Sequence, residues 1–559
     1  MKLVTSAEMK EIEGQSEDAG VTTTELMLNA GVSVYEAIVL QPKFDPDNKE
    51  NELTDGLVLV LAGSGNNGGD AMVVAALLEK TFPEAEIKIY FHKRPRPEDP
   101  LGFPEKLTYT EAEEQDGQDL AEPIASQAFE LDLTEAALVV DGLLGAGLSR
   151  EVAGDLAQII DTINKARTQR QYNPTPLFVA AIDVPSGLST DTGAVLGTAI
   201  QADLTVTLGL PKRGLYQYQA AAYTGRIVLG DIGLPKSLLT EVAERAEKEK
   251  SPALITAEWV RCHLPLRPLT GHKGTFGKLM VLSGAKEYLG APYLCTSAAM
   301  RSGAGLVTLA APQSAINVVA TKMSENTYLV LPEIESLEIA VQAADLLATK
   351  IKEGSYTAVL IGPGLGNDAS KLALIERLIE KATAGFKYPK MVIDADGLNL
   401  LTQIPNWFKK LPSGNILTPH PGELATLRHT SIREIEQDRF KAAQEAAQEF
   451  NQVVVLKGAY TVVAAPDGRL LLNPAANPAM GTAGSGDVLA GIAAGLLTQL
   501  AKAKDTLDAF EVASLAVYLH SMAGELVSRD YGTSGPLAGD FLQAIPQAIK
   551  AIKNGDSLE

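Results

Sequence analysis

Short apolar runs separated by helical stretches recur along the whole chain, and this alternation most constrains the fold. In the first half the runs lie at 57–62, 87–91, 137–140 and 177–182, with an alanine-rich helical pattern at 71–80. Buried parallel strands covered by helices on both faces are expected to show such continuous apolar runs. The first half therefore predicts an α/β domain, in which the segment 93–117, rich in Pro, Glu and Asp, is the most loop-like part.

The alternation falters within 231–260, a charged stretch interrupted by Ser251-Pro252, and resumes after it. Further apolar runs follow at 278–282, 305–309, 358–361, 391–393, 415–417 and 453–456, with helical patterns at 337–351, 371–382, 437–450 and 487–497. A chain of 559 residues is also too long for one hydrophobic core, because cores rarely exceed about 250–300 residues. We therefore predict two α/β domains, at 1–240 and 250–559.

The charge and the cysteine count exclude several classes of protein. A net charge of −21 repels polyphosphates, so we expect no nucleic-acid partner, and any anionic ligand must be held by local groups. Cys262 and Cys295 are too few for a disulfide framework, which favours a reducing compartment. No run of about 18 apolar residues and no signal-peptide pattern occurs, so we expect a cytoplasmic protein without a membrane partner.

A glycine-rich turn follows the first apolar run and precedes a helical stretch. Its sequence, GSGNNGGD at 63–70, lets successive N–H groups point at a pyrophosphate on a helix N-terminus. The GxGxxG pattern within it is weak by itself, and Asp70 is equally suited to capping a helix. Two adjacent amides, Asn66 and Asn67, and a carboxylate exceed what such a turn needs. We therefore interpret them as ligand-holding groups.

Two further strand ends carry unusual polar residues, Asp141 in one and Asp183 with Ser186 in the other. Ligands of open α/β sheets bind beyond the carboxyl ends of the strands, so we expect these ends to converge with the glycine turn. Asp141, Asn67 and Ser186 then offer oxygen ligands to a hard cation, and Asp183 remains as a general acid or base. Singly, each aspartate is better explained as a turn or cap residue, but the set is not.

The strings GSGNNGGD, VDGLLGAGLSR and AIDVPSGL closely resemble the NAD(P)H-hydrate epimerase domain, over about residues 1–235. LMLNAG at 26–31 is similar to that family's N-terminal helix motif, although Leu28 replaces its usual glutamate. After the Gly-Gly-Asp of the glycine turn, Ala71 replaces the usual glycine. The resemblance implies a Rossmann-like, doubly wound domain that binds K⁺ through Asn67, Asp141 and Ser186. It implies inversion at C6 of the hydrated nicotinamide ring, with Asp183 as the catalytic proton-transfer residue. The substrate would contact Asn66, Asn67, Gly68, Gly69, Asp70, Gly145, Ala146, Gly147, Leu148, Ser149, Arg150, Glu151 and Asp183.

In the second half, the string Gly484-Ser485-Gly486-Asp487 carries the clearest chemistry. A small-residue turn leading into a helix near Asp487 aims N–H groups and the helix dipole at a transferring phosphoryl group. Asp487 would then be the base for the attacking hydroxyl. Alone, the tetrapeptide fits a flexible turn with a capping aspartate about as well. Because no Walker-type phosphate loop occurs, nucleotide binding must use another fold. His272 and His420 are assigned binding roles only.

Seven motifs of the second half occur in order, and together they resemble the ADP-dependent NAD(P)H-hydrate dehydratase family. They are GHKGTFG at 271–277, YLGAP at 288–292, GPGLG at 362–366, DADGLN at 394–399, TPHPGE at 418–423, KGAYT at 457–461 and GSGD at 484–487. The resemblance covers about residues 255–555 and implies a ribokinase-like fold that uses Mg²⁺ and ADP. It implies that the nucleotide is held by Lys457, Gly458, Ala459, Tyr460, Thr461 and Gly486, and the hydrated dinucleotide by Ala291, Gly364, His420 and the catalytic Asp487. The ring hydroxyl would be phosphorylated and expelled, giving NAD(P)H, AMP and phosphate.

Three other functions fit parts of the sequence. A ribokinase-like vitamin or sugar kinase explains GSGD but leaves the first half without a role beyond ligand binding. A binding protein without catalysis is disfavoured by Asp70, Asp141 and Asp183. A Rossmann dehydrogenase needs a ribose-binding acid about 20 residues after its glycines and no second nucleotide site. We therefore predict a homo-oligomeric, bifunctional enzyme that repairs hydrated NADH and NADPH.

Overall fold

The computed structural model of the chain describes residues 1–48, 51–54, 56–92, 108–110, 127–333, 337–501 and 507–558. It divides into two compact units, Met1–Glu249 and Lys250–Glu559, which are described separately below as unit 1 and unit 2. Across the described parts of the chain, the helices are too short or too polar to span a bilayer.

Unit 1 is built on a seven-stranded sheet in which all described pairings are parallel. Its strands are β1 (Leu57–Ala62), β2 (Glu86–Phe91), β3 (Thr108–Thr110), β4 (Leu138–Gly142), β5 (Phe178–Ile182), β6 (Leu204–Leu208) and β7 (Arg226–Gly230). Its helices are α1 (Ser6–Asp18), α2 (Thr23–Val39), α3 (Asn66–Thr81), α4 (Gln127–Glu135), α5 (Asp155–Arg170), α6 (Ala221–Thr224) and α7 (Lys236–Glu249). The strands lie in the order β3-β2-β1-β4-β5-β6-β7. The chain therefore adds strands toward one edge from β1 to β3 and toward the other edge from β4 to β7, and the order reverses between β1 and β4. A ligand crevice is expected at that point.

Alternate residues of β1 pack on opposite faces of this sheet. Val58 and Val60 belong to the core beneath α2 and α3, whereas Leu59 and Leu61 belong to the core beneath α4 and α5. Both faces are therefore covered, which explains why the strand reads as a continuous apolar run.

The predicted apolar runs of the first half correspond to β1, β2, β4 and β5, but β6 and the edge strand β7 were not predicted. The predicted helix at 71–80 starts five residues too late, since α3 begins at Asn66 and includes the asparagines of the glycine turn. The loop prediction at 93–117 is wrong for Thr108–Thr110, which form β3. The rest of that segment lies outside the described residues.

Unit 2 contains a ten-stranded sheet in the order β11-β10-β9-β12-β13-β14-β15-β16-β17-β8. The pairings are parallel except those of β16 with β15 and with β17. The strands are β8 (Ala253–Leu254), β9 (Lys278–Leu282), β10 (Leu306–Pro312), β11 (Thr327–Leu331), β12 (Ala358–Ile361), β13 (Lys390–Ile393), β14 (Ile416–Leu417), β15 (Val453–Leu456), β16 (Val462–Ala464) and β17 (Leu470–Leu472). The six predicted runs correspond to parallel strands of this sheet, while β8, β11, β16 and β17 were not predicted.

The helices of unit 2 lie along the chain between and after these strands. They are α8 (Ala257–His263), α9 (Ala291–Arg301), α10 (Gln313–Lys322), α11 (Leu337–Gly354), α12 (Ala369–Thr383), α13 (Asp396–Thr402), α14 (Trp407–Lys410), α15 (Pro421–Leu427), α16 (Ile432–Gln437), α17 (Arg439–Phe450), α18 (Ser485–Leu500), α19 (Ala509–Tyr531) and α20 (Ala538–Asn554).

Helix α18 is buried on all sides and lies at the centre of the unit 2 core. Every residue from Val488 to Leu500 is buried, as expected for a helix that is apolar all round. It approaches α9 closely: a Cβ on Gly491 would lie 2.3 Å from the Cys295 carbonyl oxygen. This packing fixes the position of the GSGD turn, which forms the N-terminus of α18.

Candidate active sites

The glycine turn of unit 1 packs tightly against the loop that follows β4. A Cβ on Gly68 would lie 1.9 Å from the Gly63 carbonyl oxygen, and one on Gly63 would lie 2.0 Å from the Leu143 carbonyl oxygen. Gly65 caps α3 without a side-chain hydrogen bond, and its carbonyl oxygen accepts from the N–H groups of Gly68 and Gly69, so the N–H groups of Asn66 and Asn67 precede the first bond of the helix. The turn therefore offers an anion-binding helix N-terminus at the reversal of strand order.

The three predicted cation ligands are close together. Ser186 donates to Asp141 from both its hydroxyl, at 2.6 Å, and its backbone N–H, at 2.8 Å. The Asn67 amide donates to the carbonyl oxygens of Leu144, at 3.0 Å, and Ile182, at 2.9 Å. These bonds join the start of α3 to the loops after β4 and β5.

Asp141 is completely buried, and its hydrogen-bond donors are neutral groups of Ser186 and Leu143. Burial raises its pKa to about 6, although these hydrogen bonds act in the opposite direction. Among the described residues, no cationic side chain forms an ion pair with this carboxylate. A monovalent cation would supply the missing charge, and the oxygen atoms of Asn67, Asp141 and Ser186 are suitable ligands for it.

Asp183 lies directly after β5 in a left-handed backbone conformation, with φ of 63°. Its Oδ1 atom accepts a hydrogen bond from the Leu208 N–H at 3.1 Å and forms an ion pair with Lys212 Nζ at 2.5 Å. Lys212 is buried and also donates to the Leu208 carbonyl oxygen. Lys212 was not among the predicted site residues. The available signal was a lysine within the apolar run GLPKRGL, which follows β6.

Two more carboxylates belong to this buried group. Burial raises the pKa of Asp70 well above its usual value, and the charges of Asp183 and Glu13 raise it further, while Lys212 lowers it. The pKa of Glu13 is also raised, first by burial and then by Asp183, against the effect of Lys212 and Lys10. Asp70 and Glu13 are therefore electrostatically coupled to the Asp183–Lys212 ion pair. Glu13 was not predicted, because it lies in α1, far from the glycine motifs in sequence.

The loop at 145–151 continues from the same edge of the sheet. The Ala146 carbonyl oxygen accepts hydrogen bonds from the hydroxyls of Ser6, at 2.6 Å, and Thr190, at 3.2 Å. The remaining residues are mostly exposed, and they are Gly147, Leu148, Ser149, Arg150 and Glu151. A Cβ on Gly145 would lie 2.7 Å from Asn67 Oδ1, so the beginning of the loop lies against the cation ligands.

In unit 2, the GSGD turn faces a lysine that follows β15 and an aspartate that follows β13. Gly484 precedes α18 with φ of +91° and gives no side-chain cap. A Cβ on Gly486 would lie 3.5 Å from Lys457 Nζ and 4.0 Å from Asp394 Oδ2. The uncapped helix N-terminus and the ammonium group therefore face the same space, as an anion hole requires.

Lys457, directly after β15, pairs with two carboxylates. Its Nζ atom lies 2.7 Å from Asp394 Oδ1 and 3.6 Å from Glu423 Oε2. Thr418 donates to the same oxygen of Asp394 at 2.7 Å. Burial lowers the pKa of Lys457, but the charges of Asp394 and Glu423 outweigh it and raise the pKa overall. Lys457 is therefore held as a cation beside the turn.

Asp487 has the electrostatic properties of a general base near neutral pH. Its pKa is raised to about 7, first by burial and then by the charges of Asp394 and Asp396, against the effect of Lys457. A carboxylate with a pKa near the operating pH suits proton transfer in the transition state. Asp394, Asp396 and Glu423 occur in the predicted motifs, but no role was predicted for them.

Of the residues predicted to contact the dinucleotide, Ala291 and Gly364 lie together, and His420 has a structural role. A Cβ on Gly364 would lie 2.8 Å from the Cβ of Ala291. His420 caps α15, because its Nδ1 atom accepts from the N–H groups of Gly422, at 3.0 Å, and Glu423, at 3.2 Å. Its other ring edge is exposed, and contact between that edge and substrate stays a prediction.

Arg439 forms hydrogen bonds with the backbone of the predicted nucleotide loop, which joins β15 to β16. This buried guanidinium donates to the carbonyl oxygens of Leu456, at 3.1 Å, and Lys457, at 3.0 Å. Tyr460 is buried, so its side chain is part of the core. The exposed part of this loop is near Gly458 and Ala459, while Thr461 bonds back to the Gly458 carbonyl oxygen at 2.9 Å.

The GHKGTFG motif lies at the other end of α18. A Cβ on Gly277 would lie 2.2 Å from the carbonyl oxygen of Thr498, near the C-terminus of α18, whereas Asp487 lies in its first turn. Eleven residues of helix separate the two positions, or about 16 Å at 1.5 Å per residue. This contact places Gly277, the last residue of the motif, and the predicted binding role of His272, five residues earlier, stays a prediction.

Both units match known families. Residues 23–214 match a family model described as YjeF-related protein N-terminus, and residues 279–547 match one described as NAD(P)H-hydrate dehydratase. A bifunctional NAD(P)H-hydrate repair enzyme, Nnr, from Moorella thermoacetica is 36% identical over 557 residues, which is 99% of this chain and 97% of that protein. The chain belongs to the bifunctional NAD(P)H-hydrate repair enzyme family.

Other members of the repair enzyme family are similarly related to it. The protein of that name from Escherichia coli is 32% identical and aligns over 95% of this chain and 90% of its own length. A solved ADP/ATP-dependent NAD(P)H-hydrate dehydratase from Bacillus subtilis is 30% identical over 54% of this chain and 98% of its own, with a TM-score of 0.46. The family and the two α/β fold classes predicted from the motifs are confirmed.

Proposed function

We propose that this chain repairs hydrated NADH and NADPH in two reactions. Unit 1 interconverts the R- and S-forms at C6, and unit 2 dehydrates the S-form with ADP, giving NAD(P)H, AMP and phosphate. The observation that carries this proposal is the relation to bifunctional repair enzymes over nearly the whole length of the chain. The homo-oligomeric state and the cytoplasmic location stay predictions from the sequence.

In unit 2, Asp487 would take the proton of the ring hydroxyl as its oxygen attacks the β-phosphorus of ADP. AMP leaves, and the N–H groups at the start of α18 and the Lys457 ammonium stabilise the charge on the transferred group. The C6–O bond then breaks, phosphate leaves with the bonding electrons, and the adjacent ring carbon loses a proton. Converting a poor leaving group into phosphate is the reason why a phosphotransferase site can catalyse a dehydration.

The nucleotide would lie along the loop Lys457, Gly458, Ala459, Tyr460 and Thr461 and against Gly486. The dinucleotide would lie against Ala291, Gly364, His420 and Asp487. Mg²⁺ bound with the nucleotide would neutralise phosphate charge. Asp394 suits that ion, because its Oδ2 atom faces the space beside Gly486 while Oδ1 is engaged by Lys457 and Thr418.

In unit 1, Asp183 would take the proton of the C6 hydroxyl as the C6–N1 bond opens to an aldehyde, with the bonding electrons passing to N1. It would return the proton to the oxygen when N1 closes on the other face of C6, so that the configuration inverts. The turn Asn66, Asn67, Gly68, Gly69 and Asp70 would hold the pyrophosphate, together with the loop Gly145, Ala146, Gly147, Leu148, Ser149, Arg150 and Glu151. K⁺ would be bound by Asn67, Asp141 and Ser186, as the buried, uncompensated charge of Asp141 supports. The ion would fix the loops after β4 and β5 and thereby the position of Asp183.

The decisive experiment supplies a mixture of both hydrate epimers with ADP, Mg²⁺ and K⁺. We expect the near-ultraviolet absorbance of reduced nicotinamide to return completely, faster than spontaneous epimerisation in an enzyme-free control allows. Conversion that stops near half would contradict the bifunctional proposal. A stable phosphorylated product without recovery of absorbance would instead support a small-molecule kinase.

A further inference from the structure

Lys212 is held at both its backbone and its side chain. The residues before and after it, Pro211 and Arg213, form backbone hydrogen bonds with Val4 near the beginning of the chain. The Val4 N–H donates to the Pro211 carbonyl oxygen at 3.0 Å, and the Arg213 N–H donates to the Val4 carbonyl oxygen at 2.9 Å. Its ammonium lies between Asp183 Oδ1 and the Leu208 carbonyl oxygen, and its side chain is only 2% exposed. The lysine is therefore a fixed buried charge, unlike the mobile lysines of protein surfaces.

Asp183 is oriented by this surrounding structure. Its left-handed backbone conformation is uncommon for a residue other than glycine and is held by a hydrogen bond from its N–H to the Val206 carbonyl oxygen at 2.8 Å. Both described partners of its carboxylate, Leu208 N–H and Lys212, bind Oδ1. The arrangement leaves Oδ2 for the substrate.

The carboxylates nearby make the lysine necessary for this arrangement. Asp183 interacts electrostatically with Asp70 of α3 and Glu13 of α1, and Lys10 of α1 acts on Glu13. Without Lys212, the Oδ1 atom of Asp183 would keep the Leu208 N–H as its one remaining described partner, and the negative charges of Asp70 and Glu13 would act on a carboxylate without its cation. The side chain of Asp183 would then be free to turn.

We propose that Lys212 is a positioning residue for epimerisation, which fixes Oδ1 of Asp183 so that Oδ2 meets the C6 hydroxyl of the hydrated ring. The proposal rests on the proposed function of unit 1. It also gives the N-terminal segment a role, since residues on either side of Lys212 bond to Val4.

The test measures epimerisation by the purified full-length chain, with the epimers separated by chromatography. We expect Lys212→Met to lower kcat about 100-fold and to leave KM within about threefold, because the change disturbs orientation rather than substrate contact. Lys212→Arg, which keeps the charge, should be at least about tenfold faster than Lys212→Met. Lys212→Gln takes the place of Lys212→Met if the latter unfolds unit 1.

Two controls separate this role from a general effect on stability. Lys2 is another buried lysine of unit 1, paired with Glu8 at 2.6 Å, and Lys2→Met should epimerise at the wild-type rate. In an Asp183→Asn background, adding Lys212→Met should change the remaining rate by less than about threefold, since the lysine acts through that carboxylate.

Three results would overturn the inference. They are a Lys212→Met rate within threefold of wild type, equal losses for the Met and Arg variants, and a further large loss when Lys212→Met is added to Asp183→Asn. Failure of the wild-type chain to epimerise would instead refute the proposed function, before any variant is compared.

Discussion

The two units place a buried aspartate at the carboxyl end of a central parallel strand, but they compensate its charge differently. Asp394 of unit 2 is paired with Lys457 of the same chain and accepts from Thr418. Among the residues that the structure describes, the donors to Asp141 of unit 1 are neutral groups of Ser186 and Leu143. The comparison teaches that a buried aspartate at the end of a parallel strand has an internal cation in unit 2, whereas in unit 1 the proposed K⁺ would have to supply that charge.

The test with the largest expected effect asks whether the two units work independently. It replaces each of the two proposed catalytic carboxylates, in turn, by an amide. We expect Asp487→Asn to slow dehydration of the pure S-form about 1000-fold and to leave epimerisation unchanged, with the opposite result for Asp183→Asn. The exposed Asp345→Asn is a matched control in unit 2. Loss of both activities from either substitution would show that the sites do not work independently.

The second test removes the internal cation of unit 2. Lys457→Met leaves Asp394 buried without its partner, and breaking such a pair costs on the order of 4 kcal/mol of unfolding free energy. Both tryptophans, Trp259 and Trp407, lie in unit 2, so their fluorescence during urea unfolding reports this unit. Adding Asp394→Asn should recover part of the loss, and an unchanged unfolding midpoint for Lys457→Met would contradict the pairing argument.

The third test concerns the proposed K⁺ of unit 1 and compares stability with and without that ion. Burial raises the pKa of Asp141 to about 6 from 3.8, so between these values the folded state holds the proton that the unfolded state releases. Stability of unit 1 should therefore fall as pH rises through this window, by up to about 3 kcal/mol in a buffer of large organic cations. K⁺ should restore it at pH 7 by binding the ionised form, and should have no effect at pH 4.

Hydrogen exchange of peptides covering residues 138–186 measures this effect. The tryptophan fluorescence of unit 2 is the internal control and should not respond to K⁺. Equal exchange with and without K⁺ at pH 7 would contradict a cation at Asn67, Asp141 and Ser186.

Much of the fold could be predicted from local patterns. The central strands read as apolar runs because helices cover both faces of the sheets. Strand β6 was not predicted, since its threonines interrupt the apolar run although they are buried. The start of α3 was predicted too late, because Asn and Gly have low helix propensity and only tertiary contacts hold them in the first turn.

By itself, the sequence determined where the glycine turns and the strand-end aspartates lie, because both are local features of the chain. Only the tertiary structure decided which carboxylates have a counter-charge. Lys457 reaches Asp394 across 63 residues of sequence, and Lys212 joins Asp183 to a region that also contains Glu13 from α1. Ion pairs form between side chains that the fold brings within a few ångströms, and burial then sets their strength, so no local spacing encodes them.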